Sequence, residues 1–434
     1  MIPQDFLQTI ARKHGVSDTE LEALSLAMDG QTTPAIARQL AISEDAVRKR
    51  LSEIYQKFHI SGRGPVKLAQ LQQLLVSQYQ AQQHTDRTNP VAAISDTPHQ
   101  DWGEAPDVSV FYGRTKELAI LEEWIIKDNC RLVALLGMPG IGKSFLAHKL
   151  AQQIQDEFKI VIWRSLRNAP PLLELLADFL KTLPHSSELD LPKTADEGIS
   201  RLIGYLRQHR CLLVLDGVET ILRNGDRFGR YSKGYEGYGI FLRRIGEEQH
   251  QSCLLVSTQE KPGEIIRLES ANRLVRSLQL EGLNSEAAKE ILQSKNLTGE
   301  ECWDDLIKLY RGNPLALKLA IVMIEDIFNK DVAKFIKLGT TVLSPDYREL
   351  LDDLFKRLSD LEKEVVKSLA NQNKPTSFEE LRSNMTATLS ASELIEALAS
   401  LGGRSLIEKF PNKDTSEIVF TLQPVVKKYV QKSR

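Results

Sequence analysis

Gly137-Met138-Pro139-Gly140-Ile141-Gly142-Lys143-Ser144 matches the spacing G-x-x-x-x-G-K-[ST], the P-loop. The apolar run Arg131 to Leu136 precedes it and reads as a buried strand, and Phe145 to Leu150 continues it as a helical pattern. Strand, loop and helix in that order constrain the chain to an α/β core. Glycines let the backbone turn so that successive N–H groups face phosphate oxygens. In such a loop Lys143 reaches the β/γ-phosphates and the Ser144 hydroxyl holds Mg²⁺. A chance glycine-rich turn would not need these flanks, so the stretch points to a nucleotide site.

With 434 residues the chain is long enough for two to four domains. Its formal net charge of −2 means that any nucleic-acid contact must come from a local basic face. The four cysteines, Cys130, Cys211, Cys253 and Cys302, are far apart, contain no C-x-x-C, and read as buried reduced thiols of a cytoplasmic protein. The eight histidines show no metal-binding spacing. The N-terminus lacks a signal-peptide pattern and no apolar run approaches the roughly 18 residues of a membrane span, so no membrane partner is expected. No tandem repeat is present.

Residues 17–76 are densely helical. Ser17 is an N-cap for a helix with Leu21, Leu24 and Leu26 on one stripe, and Asp29-Gly30 stops it. Thr32 or Thr33 caps a second, short helix containing Pro34, and Ser43 caps a third from Glu44 to Phe58. Val47, Leu51, Ile54 and Phe58 face inward on the third helix, while Arg48, Lys49, Arg50 and Lys57 face out. A short helix, a brief turn and a basic second helix make a helix-turn-helix.

The residues Thr33, Ile36-Ala37, Leu40, Ile42-Ser43, Val47-Arg48, Arg50-Leu51, Ile54-Tyr55 and Lys57-Phe58 resemble the LuxR/GerE-type DNA-binding domain. The resemblance implies a fourth helix over Val66 to Val76, and a recognition helix bringing Arg48, Lys49, Arg50 and Lys57 to DNA. Ala46 and Arg50 stand where that family commonly has threonine and histidine. Assigning residues 1–76 to this domain, we expect a linker over 77–107, where Gln, Thr, Asn, Asp and Pro dominate.

Residues 108–280 alternate strand and helix, as a parallel sheet with helices on both faces requires. Cys211 to Asp216 is an apolar strand ending in an acid, the Walker B candidate, so Asp216 is expected to hold Mg²⁺ with Ser144. A further strand, Ser252 to Ser257, carries Thr258-Gln259 at its end. The Tyr-rich loop 224–238 reads as packing and surface insertion rather than a base-stacking platform. Residues 281–343 read as a helical domain with a break at Gly312-Asn313-Pro314. Residues 344–434 read as helices followed by a β-hairpin and a last helix, the pattern of a winged helix.

Phe111-Tyr112-Gly113-Arg114, the two Walker motifs, Gly312-x-Pro314 and the C-terminal hairpin, in this order, resemble the NB-ARC class of STAND signal-transduction ATPases. With the N-terminal helix-turn-helix, the resemblance extends to cyanobacterial regulators. It implies that Phe111, Tyr112, Gly113, Arg114 and Pro314 line an adenine pocket. Gly137, Pro139, Gly140, Ile141, Gly142, Lys143, Ser144 and Phe145 would hold the phosphates of ATP or ADP, with Mg²⁺. Lys143, Asp216, Glu219 and Gln259 are the catalytic candidates, and Gln423 takes the place of the winged-helix histidine.

Gly217 replaces a second acid common in that class, with Glu219 two positions on, and Gln259 replaces a γ-phosphate-sensing arginine. Neutral amides bind phosphate more weakly than charged groups. The expected activity is therefore slow ATP hydrolysis serving as a nucleotide switch, with ATP favouring self-association and DNA as the target. A signalling or defence scaffold whose N-terminal helices recruit a protein partner is the alternative. Nothing marks a nucleic-acid motor.

Overall fold

The computed structural model describes residues 16–28, 31, 33–58, 71, 99–184, 191–385, 389–412 and 417–432. The chain separates into two compact units, residues 1–95 and 96–434.

In the first unit, α1 (Asp18–Met28), α2 (Thr33–Gln39) and α3 (Glu44–Lys57) pack on one another. Ser43 caps α3, accepting the Ala46 N–H at 3.2 Å. The turn between α2 and α3 closes tightly because Ala41 takes a left-handed backbone, φ 53°. Leu24, Ile36, Val47 and Ile54 are fully buried, as their helical spacing predicts. Of the expected fourth helix only Leu71 is described, and it is buried; the rest of 66–76 lies outside the described residues.

The second unit opens on β1 (His99–Asp101). Then follow α4 (Thr115–Glu122, prolonged by a π-helical turn over Glu123–Lys127), β2 (Leu132–Leu136), α5 (Lys143–Ile154), β3 (Ile160–Ser165), α6 (Leu172–Thr182) and α7 (Ala195–Gln208). Next come β4 (Cys211–Asp216), α8 (Gly237–Glu247), β5 (Cys253–Thr258), α9 (Gly263–Ala271) and β6 (Val275–Gln279). The six strands form one sheet, every pairing parallel, in the order β1-β3-β4-β5-β2-β6. β2, β4 and β5 are buried along their whole length, which explains their unbroken apolar runs. Alternate residues feed two cores: Leu213, Leu215 and Val256 face α6 to α9, while Leu212, Val214 and Leu255 face α4 and α5.

The expected linker over 77–107 reaches too far. Residues 72–98 lie outside the described residues, but His99–Asp101 pairs in register with Ile160–Ile162 as an edge strand. Asp101 bonds Arg164 at 2.7 Å, and the Trp102 ring lies 4.8 Å from that of His148. Three polar residues, His-Gln-Asp, carry no apolar period; the backbone ladder and the neighbouring tryptophan hold them instead. The cysteine expectation also needs a change, since Cys302 is only half-buried while the other three are buried.

The remaining chain contributes α10 (Ser285–Gln293), α11 (Trp303–Leu309), α12 (Pro314–Phe328), α13 (Val332–Ile336) and α14 (Pro345–Lys356). It ends with α15 (Asp360–Asn371), β7 (Thr376–Ser377), α16 (Phe378–Ser383), α17 (Ala391–Gly403), β8 (Ile407–Pro411), β9 (Ile418–Leu422) and α18 (Pro424–Lys432). The expected hairpin is present as β8 and β9, with β7 on the other side of β9. One continuous apolar core runs from Leu283 to Val430, and Met138 of the P-loop is part of it.

The Tyr-rich loop is held by its own hydroxyls, as its packing reading expects. Tyr235 donates to the Ala169 carbonyl at 2.7 Å and Tyr238 to that of Pro170 at 2.8 Å. Both rings are thereby engaged in holding backbone. No helix among the described residues is long and apolar enough to cross a membrane.

Candidate nucleotide-binding site

A cavity of about 720 Å³ opens at the carboxyl ends of β3, β4 and β5, in front of the loop between β2 and α5. That is where ligands sit in open parallel sheets. Its two ends differ in chemistry. One is apolar, walled by Phe111, Tyr112, Leu283, Ile291, Pro314 and Leu350. The other is polar, formed by Lys143, Ser144, Asp216, Glu219 and Gln259.

At the polar end the glycines have left-handed backbones where the loop needs them. Gly142 precedes α5 with φ 100°, and no side chain caps that helix, so the N–H groups of its first turn face the cavity. Gly140 has φ 74°; a Cβ there would lie 2.7 Å from the Leu315 Cβ. The loop and α12 approach each other too closely for any side chain at that position.

Lys143 is 9% exposed and points back along its own loop, donating to the carbonyls of Gly137 at 2.9 Å and Met138 at 3.1 Å. Burial pulls its pKa below the usual lysine range, opposed by the charges of Glu219 and Asp216. Asp216 is buried beside it and accepts the Ser144 hydroxyl at 2.7 Å and the Ser257 hydroxyl. The strand register accounts for this: Asp216 lies between Ser165 on β3 and Ser257 on β5. A hydroxyl and a carboxylate in contact at the start of a P-loop helix are the donor set for Mg²⁺, so the residues present fit that ion. Glu219 and Gln259 are adjacent, the Gln259 N–H donating to the Glu219 carboxylate at 3.2 Å.

The cavity brings together most of the residues singled out in the sequence. Phe111, Tyr112, Arg114, Pro139, Gly140, Ile141, Gly142, Lys143, Ser144, Phe145, Asp216, Glu219, Gln259 and Pro314 all line it. Three others do not. Gly137 lies behind the loop, offering its carbonyl to Lys143. Gly113 packs on α10, where a Cβ would meet that of Ala287 at 2.5 Å. Gln423 lies outside the lining, and its carbonyl accepts the Lys427 N–H at the start of α18.

Arg114 is more than a lining residue. Its guanidinium is buried, pairs with Glu117 at 2.7 Å, and donates to the carbonyls of Ile141 at 2.9 Å and Glu281 at 2.8 Å. It ties the P-loop to the segment that follows β6. Asn313 does the same from the other side. Its side-chain oxygen caps α12 while its amide donates to the Pro139 carbonyl at 3.0 Å. Sequence reasoning passed over Asn313, although Asn before Pro at a helix start is a cap signal. It also passed over Arg167, which lines the polar end just past β3.

In the first unit the four basic candidates separate. Arg48 is 62% exposed and bonds Glu44 and Asp45 on its own helix, and Lys49 is exposed. Arg50 turns toward α1 and donates to the Thr19 carbonyl at 3.0 Å. Lys57 pairs with Glu20 at 2.7 Å. Burial alone would raise the Glu20 carboxyl, but hydrogen bonds from Lys57 and Ser17, with the Lys57 charge, bring it down to about 2. Lys57 thus fastens α3 to α1.

Residues 114–223 match the NB-ARC domain family, and residues 14–67 match the luxR family of bacterial regulatory proteins. The chain carries an NB-ARC domain and a LuxR-type helix-turn-helix domain over those residues. This NB-ARC chain is 45% identical over 348 residues to an uncharacterized WD repeat-containing protein of Nostoc sp. strain PCC 7120, covering 77% of this chain and 27% of that one. It therefore spans about a quarter of that relative's length.

Among solved structures, it is similar to a STAND protein with a tetratricopeptide repeat sensor from Pyrococcus horikoshii, at 19% identity and TM-score 0.39. That likeness covers 76% of this chain and 44% of the other. It is also similar to a Walker-type ATPase of Pyrococcus abyssi, at 16% identity and TM-score 0.46, over 74% and 96% of the two chains. At those scores the likeness carries no argument about the site.

Proposed function

We propose that this chain is an ATP/ADP-switched, DNA-binding regulator. The observation that carries the nucleotide reading is the polar end of the cavity. There, among the described residues, the Lys143 ammonium is hydrogen-bonded to two carbonyls of its own loop, bonds that a phosphate would take over. When bound, Mg²⁺ supplies charge neutralisation for the phosphates. Ser144 and Asp216 would hold it, with Ser257 fixing the carboxylate's orientation. Lys143 and the uncapped N–H groups of α5 would bind the phosphate oxygens. Phe111, Tyr112 and Pro314 would take the base.

Glu219 is the residue positioned to accept a proton from an attacking water, and its half-buried place at the cavity wall supports that role. Gln259 supplies an amide where a charge would speed turnover. The expected enzyme is a slow ATPase whose product is a conformation, with self-association on exchange to ATP. The domain plan that goes with this has the helix-turn-helix at the start, a nucleotide-binding domain, a helical domain over 281–343 and a winged helix over 344–434. Equilibrium binding of fluorescent ADP to the wild type and to Lys143→Ala tests the core of the reading. Equal affinity in the two would overturn it.

One observation favours the scaffold reading. Of the four basic residues proposed for DNA, Arg48, Arg50 and Lys57 already have partners within the unit. A duplex-binding titration at two salt concentrations decides between them. Binding that weakens steeply with salt supports a DNA-binding regulator, and none in either nucleotide state supports a protein-recruiting scaffold.

A further inference from the structure

We infer that Arg167 is the residue by which this site tells a nucleoside triphosphate from a diphosphate, in the role that Gln259 leaves without a charge. The inference rests on the nucleotide reading above and names how that site discriminates.

Arg167 lines the polar end of the cavity. It comes two residues after Ser165, the register partner of Asp216, so it lies on the β3 side of that carboxylate while Ser257 lies on the β5 side. It borders Gly217 closely: a Cβ on Gly217 would approach the Arg167 Cγ at 3.9 Å. The side chain is exposed to the cavity, and among the described residues its guanidinium has no acidic partner or hydrogen bond. Arg114, the other arginine of the lining, is spent on Glu117 and two carbonyls. Lys143 reaches the β-phosphate that ADP and ATP share as well as the γ-phosphate, so it contacts either nucleotide. Lys318, also in the lining, sits on α12, one turn past Pro314.

The segment that carries Arg167 is held unusually firmly for a loop. The Leu166 N–H donates to the Asp216 carbonyl at 2.7 Å, and the Thr220 hydroxyl donates to the Leu166 carbonyl at 2.6 Å. Tyr235 and Tyr238 bond the carbonyls of Ala169 and Pro170 further along the turn. Ala169 is held at φ 44°, a left-handed backbone that costs energy for a residue with a Cβ. Four side chains or strands therefore fix the turn while the arginine itself stays unpaired. Fixing the backbone and leaving the guanidinium free is the arrangement expected of a group kept for a ligand. A planar fork of donors suits a terminal phosphate, which offers several oxygens and the added charge that a diphosphate lacks there. The Tyr-rich loop acquires a purpose on this view: it buttresses the Arg167 turn from behind.

The test is equilibrium binding of the full-length chain, with Mg²⁺, to fluorescent ADP and to a fluorescent non-hydrolysable ATP analogue. The proteins are wild type, Lys143→Ala, Arg167→Ala, Arg167→Lys and the double variant Arg167→Ala with Gln259→Arg. Arg167→Ala should weaken the ATP analogue by roughly 10–100-fold, the range of one charge-assisted hydrogen bond. ADP affinity should stay within about twofold, well inside a single hydrogen bond. Arg167→Lys should fall between, and Gln259→Arg should restore part of the loss in the double variant. An Arg167→Ala protein that binds both nucleotides as the wild type does, or loses both equally, overturns the inference even if Lys143→Ala abolishes binding. Wild-type protein that binds neither nucleotide overturns the underlying reading instead. Because Arg167 is exposed, its removal should leave the unfolding midpoint in place, so a lost fold would not mimic the effect.

Discussion

Two groups of charged residues are buried in the 96–434 unit, and they are built on opposite rules. Around Glu260, directly after β5, every charge meets an opposite charge. Arg357 and Arg404 both pair with its carboxylate, the latter at 2.6 Å. Arg404 also lies 3.4 Å from Glu362 and donates to the Asp226 carbonyl at 3.0 Å. Glu362 is fully buried and is further satisfied by Ser359 and Ser400. Around Asp216, whose register partner Ser257 is one residue before the end of the same β5, the partners are neutral: two serine hydroxyls, and for Lys143 two backbone carbonyls. The first group fastens the strand end to the end of α14 and the end of α17. The second keeps its charges available. Opposite charges meeting inside the fold mark structure; charges left with neutral partners beside a cavity mark a site.

That contrast can be broken by experiment. Glu260→Ala should have the largest effect, because it removes the carboxylate shared by the buried Arg404 and the half-buried Arg357. A loss of about 3–5 kcal/mol in the unfolding free energy is expected, read by denaturant titration of the full chain. A loss under about 1 kcal/mol would mean the network behaves like an exposed pair. Lys143→Ala should do the reverse. Nucleotide affinity should drop about 100-fold or more, the scale of a lost charged phosphate contact with its neighbours, with the unfolding midpoint unchanged or raised. A strongly lowered midpoint would move Lys143 into the structural group.

Asn313→Ala tests a residue that belongs to both. It caps α12 and bonds the P-loop, so about 1–2 kcal/mol of stability should go, accompanied by faster hydrogen exchange at the start of α12. Unaltered exchange there would deny it the bridging role. The smallest effect concerns the Glu20–Lys57 pair, which is one-third exposed at the lysine. Glu20 has its pKa lowered from 4.5 to about 2. Its contribution is therefore complete above about pH 4.5 and is lost as pH falls toward 2. After screening it should amount to about 1 kcal/mol. In Glu20→Gln, acid unfolding of the N-terminal unit over that window should flatten; an unchanged acid limb would count against the pair.

The site was legible in the sequence to the extent that it is local. The P-loop, the apolar strand ending in Asp216, Gln259 after β5 and Pro314 at a helix start are short motifs, and the cavity collects them. The parallel sheet followed from uninterrupted apolar runs. What escaped was set by partners distant in sequence. Lys57 reads as part of a basic face until α1 brings Glu20 to it. Gln423 holds the place of a site residue by alignment of motifs, yet the packing of α18 keeps it off the cavity wall. β1 has no apolar signal because a ladder to β3 and not a core face holds it. Arg167 sits in no motif at all; only the register of β3 against β4 puts it beside Asp216.

The strand order has a consequence for how the protein comes into being. The strand that carries the P-loop, β2, pairs with β5 and β6 and, among the described residues, with no strand made before it. Leu132 waits for Leu254 and Val275, each more than a hundred positions later in the chain. At a synthesis rate of about 5–20 residues per second, that leaves the glycine loop unanchored for several seconds on the ribosome. The nucleotide site is therefore among the last parts of the sheet to assemble, although its motif is among the first to be translated.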